Sequence, residues 1–385
     1  MARIYHAADN AEGTAVSPDT QSAEHKSFKC EQCGARMVFQ PGSSSQACPY
    51  CSHENPIPQS EADIREMDYQ AHLLRVLDEE ECQERLTIQC KACGGESTTD
   101  PNVTAQQCPF CGSDIVATAK SVRVLKPQSL LPFHVKKDEA RKLYRQWLQK
   151  LWFAPNDLKK RARSDNPMEG MYVPYWTYDC DTKSYYRGQR GDNYTTTESY
   201  TTTENGKTVR KTRTVTKIRW RSVSGTVWNQ FDDITVLASD SLPRKYTERL
   251  EPWDLHNLAP YQDEYLSGFK AESYHVNLAE GFEYAKGKME GEIRRDIRRD
   301  IGGDHQRISS VSTQYDDITF KHILLPVWIN AYRYKGNSFR FLVNGRTGEV
   351  QGERPWSWVK ILLAVLGSMA FAALVALIIM YFNSH

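Results

Sequence analysis

CEQCGARMVFQPGSSSQACPYC at 30–51 and CKACGGESTTDPNVTAQQCPFC at 90–111 carry one pattern, C-x2-C-x14-C-x2-C, repeated 60 residues apart. Each C-x-x-C turn aims two thiolates at a single point. Two such turns supply a closed tetrahedral set of four sulfurs, which zinc accepts without geometric penalty. Cys30, Cys33, Cys48 and Cys51 form one ligand set, and Cys90, Cys93, Cys108 and Cys111 the other. Two zinc ions per chain are therefore expected. Gly34 and Gly94 follow the second cysteine of their knuckles, where the turn needs positive φ. Pro49 and Pro109 stiffen the opposite knuckles. Four cysteines leave no open position for catalysis, and a module of ~30 residues lacks a core of its own, so the expected role of the metal is structural. Rubredoxin-like iron and thiol exchange are the minor alternatives.

The chain has 385 residues, room for two or three domains, and a formal net charge of +1. No global field draws it to nucleic acid or anionic lipid. Residues 1–25 are polar, lack the apolar run of a secretory signal, and read as a disordered tail. Of the ten cysteines, eight sit in C-x-x-C pairs, which in a reducing compartment hold metal. Cys82 and Cys180 stand alone and read as idle thiols or small apolar residues. Neither ribbon is basic: Lys26, Lys29 and Arg36 face Glu31 and Glu54 in the first, and Lys91 faces Glu96, Asp100 and Asp114 in the second. Phosphate binding needs a basic surface, so nucleic acid is not the expected partner. Between the ribbons, Ile64, Met67, Ala71, Leu74 and Leu77 recur at helical spacing, which predicts an acidic amphipathic helix over 61–85.

Residues 120–355 alternate in strand fashion and are rich in tyrosine and tryptophan. Strands are expected at 129–135, 171–178, 317–334 and 338–344, and helices at 138–152 and 276–300. Thr-rich segments flanking Asn205-Gly206 predict a long hairpin, and Lys335-Gly336-Asn337 a second tight turn. Gly302-Gly303-Asp304 reads as a helix cap. QFDDIT at 230–235 recurs as QYDDIT at 314–319, SLLPFHV at 129–135 resembles ILLPVWI at 323–329, and Pro174-Tyr175-Trp176 resembles Pro326-Val327-Trp328. These repeats point to a duplicated unit of antiparallel strands packed on a helix.

Catalytic motifs are missing. Gly206-Lys207-Thr208 resembles the end of a P-loop, but Thr201 stands where its glycine belongs. The pairs Asp232/Asp233 and Asp316/Asp317 could hold a divalent cation, though turns at strand entries explain them more simply. Lys207, Arg210, Lys211, Arg213, Lys217, Arg219 and Arg221 lie in a stretch without an acid. Alternation would divide them between two faces of a strand. A solvated hairpin is the plain reading, and contact with anionic headgroups or an acidic partner the sharper one.

Ile361–Phe382 is 22 residues without a charge, spanning about 33 Å as a helix, enough for a bilayer core. Trp356, Trp358, Tyr381 and Phe382 suit an aromatic belt; Arg346, Arg354 and Lys360 on the N-terminal side predict a cytoplasmic N-terminal portion. Ala364, Ser368, Ala372 and Ala376 fall on one stripe, through which the helix could pair with a copy of itself or a second membrane protein.

The tandem ribbons, the stretches FDDITVLASDSLP, TFKHILLPVWINAYRY and VNGRTGEVQGERPWS, and the terminal apolar segment together resemble a bacterial family. Its members carry the names "primosomal protein N′ (replication factor Y) superfamily II helicase" or "TFIIB-type zinc ribbon protein". More loosely, the chain resembles a Bacillus zinc-ribbon membrane protein encoded beside phage shock protein A. The first names imply nucleic-acid association, yet helicase motifs are lacking. The second resemblance implies action beside another membrane protein and recruitment of an SPFH-type (flotillin-like) partner.

The sequence thus predicts an α+β protein: a tail at 1–25, ribbons at 26–58 and 87–118 joined by an acidic helical linker at 59–86, a central sheet-and-helix domain at 119–355, and a single-pass anchor at 356–382. The expected function is a non-enzymatic adaptor, tail-anchored at a bacterial inner membrane, that assembles proteins on the cytoplasmic face. The alternatives are a nucleic-acid-associated ribbon protein and an enzyme with an unrecognised site in the central domain.

Overall fold

A computed structural model describes residues 28–58, 64–74, 82–98, 105–111, 113–116, 120–155, 168–204, 207–334 and 337–383. The expected tail at 1–25 and the turn residues Asn205-Gly206 and Lys335-Gly336 fall outside them. Strands β1 (Val38–Phe39), β2 (Ser45–Ala47) and β3 (Glu54–Pro56) make the first ribbon, a three-stranded antiparallel sheet. Then come β4 (Met67–Asp68) and α1 (Tyr69–Leu74). The second ribbon holds β5 (Cys82–Gln89), β6 (Glu96–Thr98), β7 (Ala105–Gln107), β8 (Asp114–Val116) and β9 (Lys120–Leu125), with order β6-β5-β9 in one sheet and β7-β8 as a hairpin.

The helix expected over 61–85 is corrected. Residues 61–63 and 75–81 of that span lie outside the described residues; among the described ones only Tyr69–Leu74 is helical, while Met67–Asp68 and Cys82–Arg85 are strand. Met67 and Asp68 pair with Phe320 and Thr319 on the edge of the large sheet, and Glu66 reaches Lys321 at 3.0 Å. An available sheet edge outweighs a helical periodicity worth only tenths of a kcal/mol per residue.

The central domain contains β10 (Ser129–Leu130), α2 (Lys137–Lys150), β11 (Glu169–Glu204), β12 (Lys207–Leu237), β13 (Ala259–Pro260), β14 (Lys270–Ala271), α3 (Leu278–Ile301), β15 (His305–Tyr334), β16 (Asn337–Asn344) and β17 (Val350–Gly352). A nine-stranded, largely antiparallel sheet runs β12-β11-β15-β10-β13, with β14 beside β11, β4 and β16 beside β15, and β17 beside β16. Three strands are far longer than expected. Residues 171–178 and the first arm of the hairpin are one continuous strand, and β15 begins at 305 rather than 317. The expected strand at 129–135 shortens to Ser129–Leu130. The helix α3 has the capping box that Asn277 and Glu280 encode, and Gly302 (φ 63°) and Gly303 (φ 75°) end it as expected. Its buried stripe, Phe282, Ala285, Met289, Ile293, Ile297 and Ile301, packs on the sheet. Gly281 is required there: a Cβ would lie 2.3 Å from the Tyr178 hydroxyl.

The sequence repeats have a structural counterpart. Ser129 and Leu130 pair in parallel with Ile323 and Leu324, so matching residues of the two similar segments lie side by side. Phe133-His134-Val135 precedes α2, and Tyr274-His275-Val276 precedes α3. Trp328 donates its indole N–H to the carbonyl of Val135, and Trp176 donates to that of Val276, both at 2.9 Å. Each tryptophan thus holds the entry to the helix that precedes the other tryptophan's strand.

The two DDIT segments flank β11 on opposite sides. Asp233 (φ 53°) and Asp317 (φ 51°) both adopt the left-handed conformation where β12 and β15 bulge against Tyr178–Asp181. They are bulges within long strands, not turns at strand entries. Asp accepts this conformation better than most residues, and a bulge needs one residue in it.

Candidate metal centres and the buried acidic groups

In the first ribbon Cys30 Sγ lies 3.5 Å from Cys51 Sγ, and Cys33 Sγ 3.5 Å from Cys48 Sγ. In the second, Cys90–Cys111 and Cys93–Cys108 are each 3.7 Å apart. All four sulfurs of each set fall within 4.8 Å of one another. Tetrahedral zinc with Zn–S bonds of about 2.3 Å requires sulfurs roughly 3.8 Å apart, so both donor sets fit the ion. The structure brings together the eight cysteines the spacing predicted, four and four.

The knuckles form as the glycines require. Gly34 (φ 71°) and Gly94 (φ 76°) donate to the carbonyls of Cys30 and Cys90 at 2.9 and 2.8 Å. Cys30 and Cys90 in turn donate to Ala35 and Gly95. Backbone N–H groups aimed at sulfur favour the thiolate. The N–H of Cys51 leads in pulling Cys48 down to about 6. In the second ribbon, the hydrogen bond from Cys108 leads in lowering Cys93 to about 5, and the Cys108 thiol is raised in return. In each ribbon one sulfur thus favours the thiolate, the form that binds a cation.

The ribbons are not free modules. Phe110, in the Cys108-Pro109-Phe110-Cys111 knuckle, is fully buried, and with Ile88 and Ile115 it joins the cluster holding Leu131, Met171, Val173 and Tyr175 of the central domain. The equivalent Tyr50 of the first ribbon is 82% exposed. That ribbon docks instead through Phe39 and Ile57, and Phe39 N–H donates to Ser267 O at 2.9 Å. Sequence reasoning missed these docking residues. The difference between Phe110 and Tyr50 at one knuckle position was the only available sign.

Of the paired aspartates, Asp232 comes together with Glu66 and Asp179 closely enough to hold an ion, and Asp316 and Asp317 are not members of that group. Lys321 lies among them, 2.8 Å from Asp233, 3.0 Å from Glu66 and 3.8 Å from Asp179. Burial leads in pushing Asp179 up to about 6, even though the Asp233 N–H donates to it. Burial alone would lower Lys321, but its bonds to Asp233 and Glu66 outweigh that and raise it. The protein's own ammonium supplies the counter-charge that a cation would bring.

A second acidic group sits where the second ribbon meets the sheet. Glu272 is fully buried and accepts from Ser239 Oγ at 2.7 Å; burial pushes it up to about 8. His275 lies between it and Glu96 of the ribbon, at 3.5 and 3.4 Å.

After β17 the chain enters α4 (Trp358–Asn383), of which Trp358–Tyr381 is long and apolar enough to cross a membrane and none of it is buried against the rest of the chain. Lys360 Nζ donates to the carbonyls of Trp152 and Ala154 at 3.0 and 2.8 Å, and Ser357 N–H donates to Phe153 O at 2.8 Å. The loop after α2 thereby holds the first turn of the helix.

The chain is similar to the uncharacterized protein YdjG of Bacillus subtilis, 28% identical over 348 residues that cover 87% of this chain and 92% of that protein. No family model matches the chain. No solved structure matches it.

Proposed function

We propose that this protein is a non-enzymatic adaptor, held by α4 in a bacterial inner membrane with its N-terminal portion in the cytoplasm, that assembles other proteins at the membrane surface. The observation that carries the reading is an apolar helix with no buried residue, held at its first turn by a folded body that buries both ribbons' inner faces. A soluble protein would bury such a helix, because about 25 cal/mol is lost for each Å² of apolar surface left in water. Two zinc ions in closed four-sulfur sites stiffen the ribbons rather than act on substrate. The matched segments around Trp176 and Trp328 are the remnant of a duplicated unit. An SPFH-type protein, implied by the looser resemblance, is the partner to test first.

The test is fractionation followed by purification of the full chain from native membranes. The protein is expected in the membrane pellet, resistant to alkaline carbonate extraction, and accompanied by a stoichiometric protein partner identified by mass spectrometry. Recovery in the soluble fraction, or an ATPase that survives stringent purification, would overturn the reading.

A further inference from the structure

β11 and β12 outrun the rest of the sheet. The last pair between β11 and β15 is Gly191 with His305, and Gly191 also pairs with Trp220. Beyond that point residues 192–204 and 207–219 form a two-stranded arm about 43 Å long, at ~3.3 Å per residue. Throughout its length β12 is the last strand of the sheet, and no described strand pairs with its outer edge. A two-stranded ribbon is marginal by itself in water, and a bare edge is a template for another strand.

The arm has two chemically different faces. On β12 the odd positions of the arm carry Lys207, Lys211, Arg213, Lys217 and Arg219, with Arg221 on the same face at its base, and only Arg210 falls on the other side. The expected division of these charges between two faces is thereby corrected. On β11 the basic face is completed by Tyr194 and Tyr200, over which Arg219 and Arg213 lie at 5.0 and 5.7 Å. Among the described side chains of that face, Glu198 and Asp192 are paired with cations. Lys217 and Arg213 meet Glu198 at 2.7 and 3.4 Å, and Arg190 and Arg221 meet Asp192 at 2.8 and 3.4 Å. The opposite face holds Thr208, Thr212, Thr214 and Thr216, facing Thr203, Ser199, Thr197 and Thr195 in register.

We infer that the outer edge of β12 in this arm is a docking site for an extended, acidic segment of a partner protein, added as a further strand with its alternate carboxylates on the basic face. Three features favour that occupant. Side chains of one face recur every two residues, so cations on one face of β12 match carboxylates at alternate positions of an added strand. They lie on the edge strand itself, directly opposite where those carboxylates would fall, whereas Asp192 and Glu198 lie one strand further in. A second copy pairing along the same edge would set like charges against each other, which is destabilising. Backbone hydrogen bonds give such a docking its affinity and the alternate side chains its selectivity. This inference rests on the adaptor reading, because it supplies that reading with a docking surface.

The experiment uses the full chain in detergent and a labelled twelve-residue peptide with glutamate at every second position and threonine or valine between. Binding is followed by fluorescence anisotropy at two salt concentrations. Saturable binding is expected, weakened at least tenfold by Lys211→Gln/Lys217→Gln/Arg221→Gln. Thr212→Glu/Thr214→Glu/Thr216→Glu changes net charge equally on the opposite face and is expected to leave binding within twofold. Circular dichroism of both variants checks that the arm stays folded. N-methylation of alternate peptide nitrogens is expected to abolish binding. No binding by the wild type overturns the proposal, as do equal losses in both variants or undiminished binding of the N-methylated peptide. Tighter binding of phosphatidylserine vesicles or duplex DNA than of the peptide assigns the surface to a different class and also overturns it. If the partner found in native membranes still co-purifies with the Gln variant, the arm proposal fails while the adaptor reading stands. If nothing co-purifies with the wild type, the adaptor reading itself fails.

Discussion

The indole of Trp328 donates across 2.9 Å to the carbonyl of Val135, fastening the entry of α2 to a strand 193 residues away. Trp176 does the same for Val276 at the entry of α3. Both rings are buried, Trp328 against Phe133 and Phe269, Trp176 against Phe320 and His322. Replacing either by Phe leaves a buried carbonyl without its donor and removes part of a packed ring. Each change is expected to cost about 2 kcal/mol. The two rings share none of these stacking partners, so the double variant should be additive to within about half a kcal/mol. Urea unfolding followed by tryptophan fluorescence checks this.

Metal content tests the ribbons. Protein purified without added metal should hold two zinc ions per chain, and visible colour with substantial iron would overturn that assignment. Cys90→Ser should leave one. Because Cys90, Phe110 and Ile115 share a core with Tyr175 and Val173, the loss should spread beyond the ribbon. Faster proteolysis at the second ribbon and a fall in Tm of the central domain are both expected. A ribbon that melts with Tm unchanged would show that the docking contributes nothing.

Glu272 predicts the direction of a pH effect. Its folded-state pKa is raised to about 8 by burial, from 4.5 in the unfolded chain. The folded state therefore holds a proton that the unfolded state releases across this window. The group's contribution is fully present below about 4.5 and is lost as pH rises towards 8, by up to about 1.4 kcal/mol per pH unit. Glu272→Gln keeps an acceptor for Ser239 and removes the titration. The variant should match the wild type at pH 5 and exceed it in Tm at pH 8. Equal Tm differences at both pH values would remove Glu272 from the account.

Topology follows from the basic residues before α4. A reporter at the N-terminus should behave as cytoplasmic, and protease outside intact cells should spare residues 1–355. Cleavage there would reverse the orientation.

The two four-cysteine clusters were legible because metal chemistry is written in local spacing, and α3 because its cap and stripe are local too. Four strands and the apolar helix were found for the same reason, though with shorter limits than β11 and β15 adopt. What stayed hidden depends on distant partners. Met67 and Asp68 become strand because Phe320 and Thr319 offer them an edge. Phe110 turns inward because a sheet surface lies beneath it, while Tyr50 at the matching position meets water. The one-sided charge of the arm could have been counted from odd and even positions. The two left-handed aspartates could not, because a bulge is set by the register of three strands together.

β11 also fixes how the molecule would carry load. Its paired contact with β15 runs from Glu169 to Gly191, and the arm continues from one end of that seam while β16, β17 and α4 follow from the other. A pull on the arm tip, resisted at the helix, would slide β11 along β15. Sliding strains many backbone hydrogen bonds at once, whereas peeling breaks them one at a time. The joint is thus built in shear, so a load placed on the arm would reach the foot of the apolar helix without unzipping the seam bond by bond.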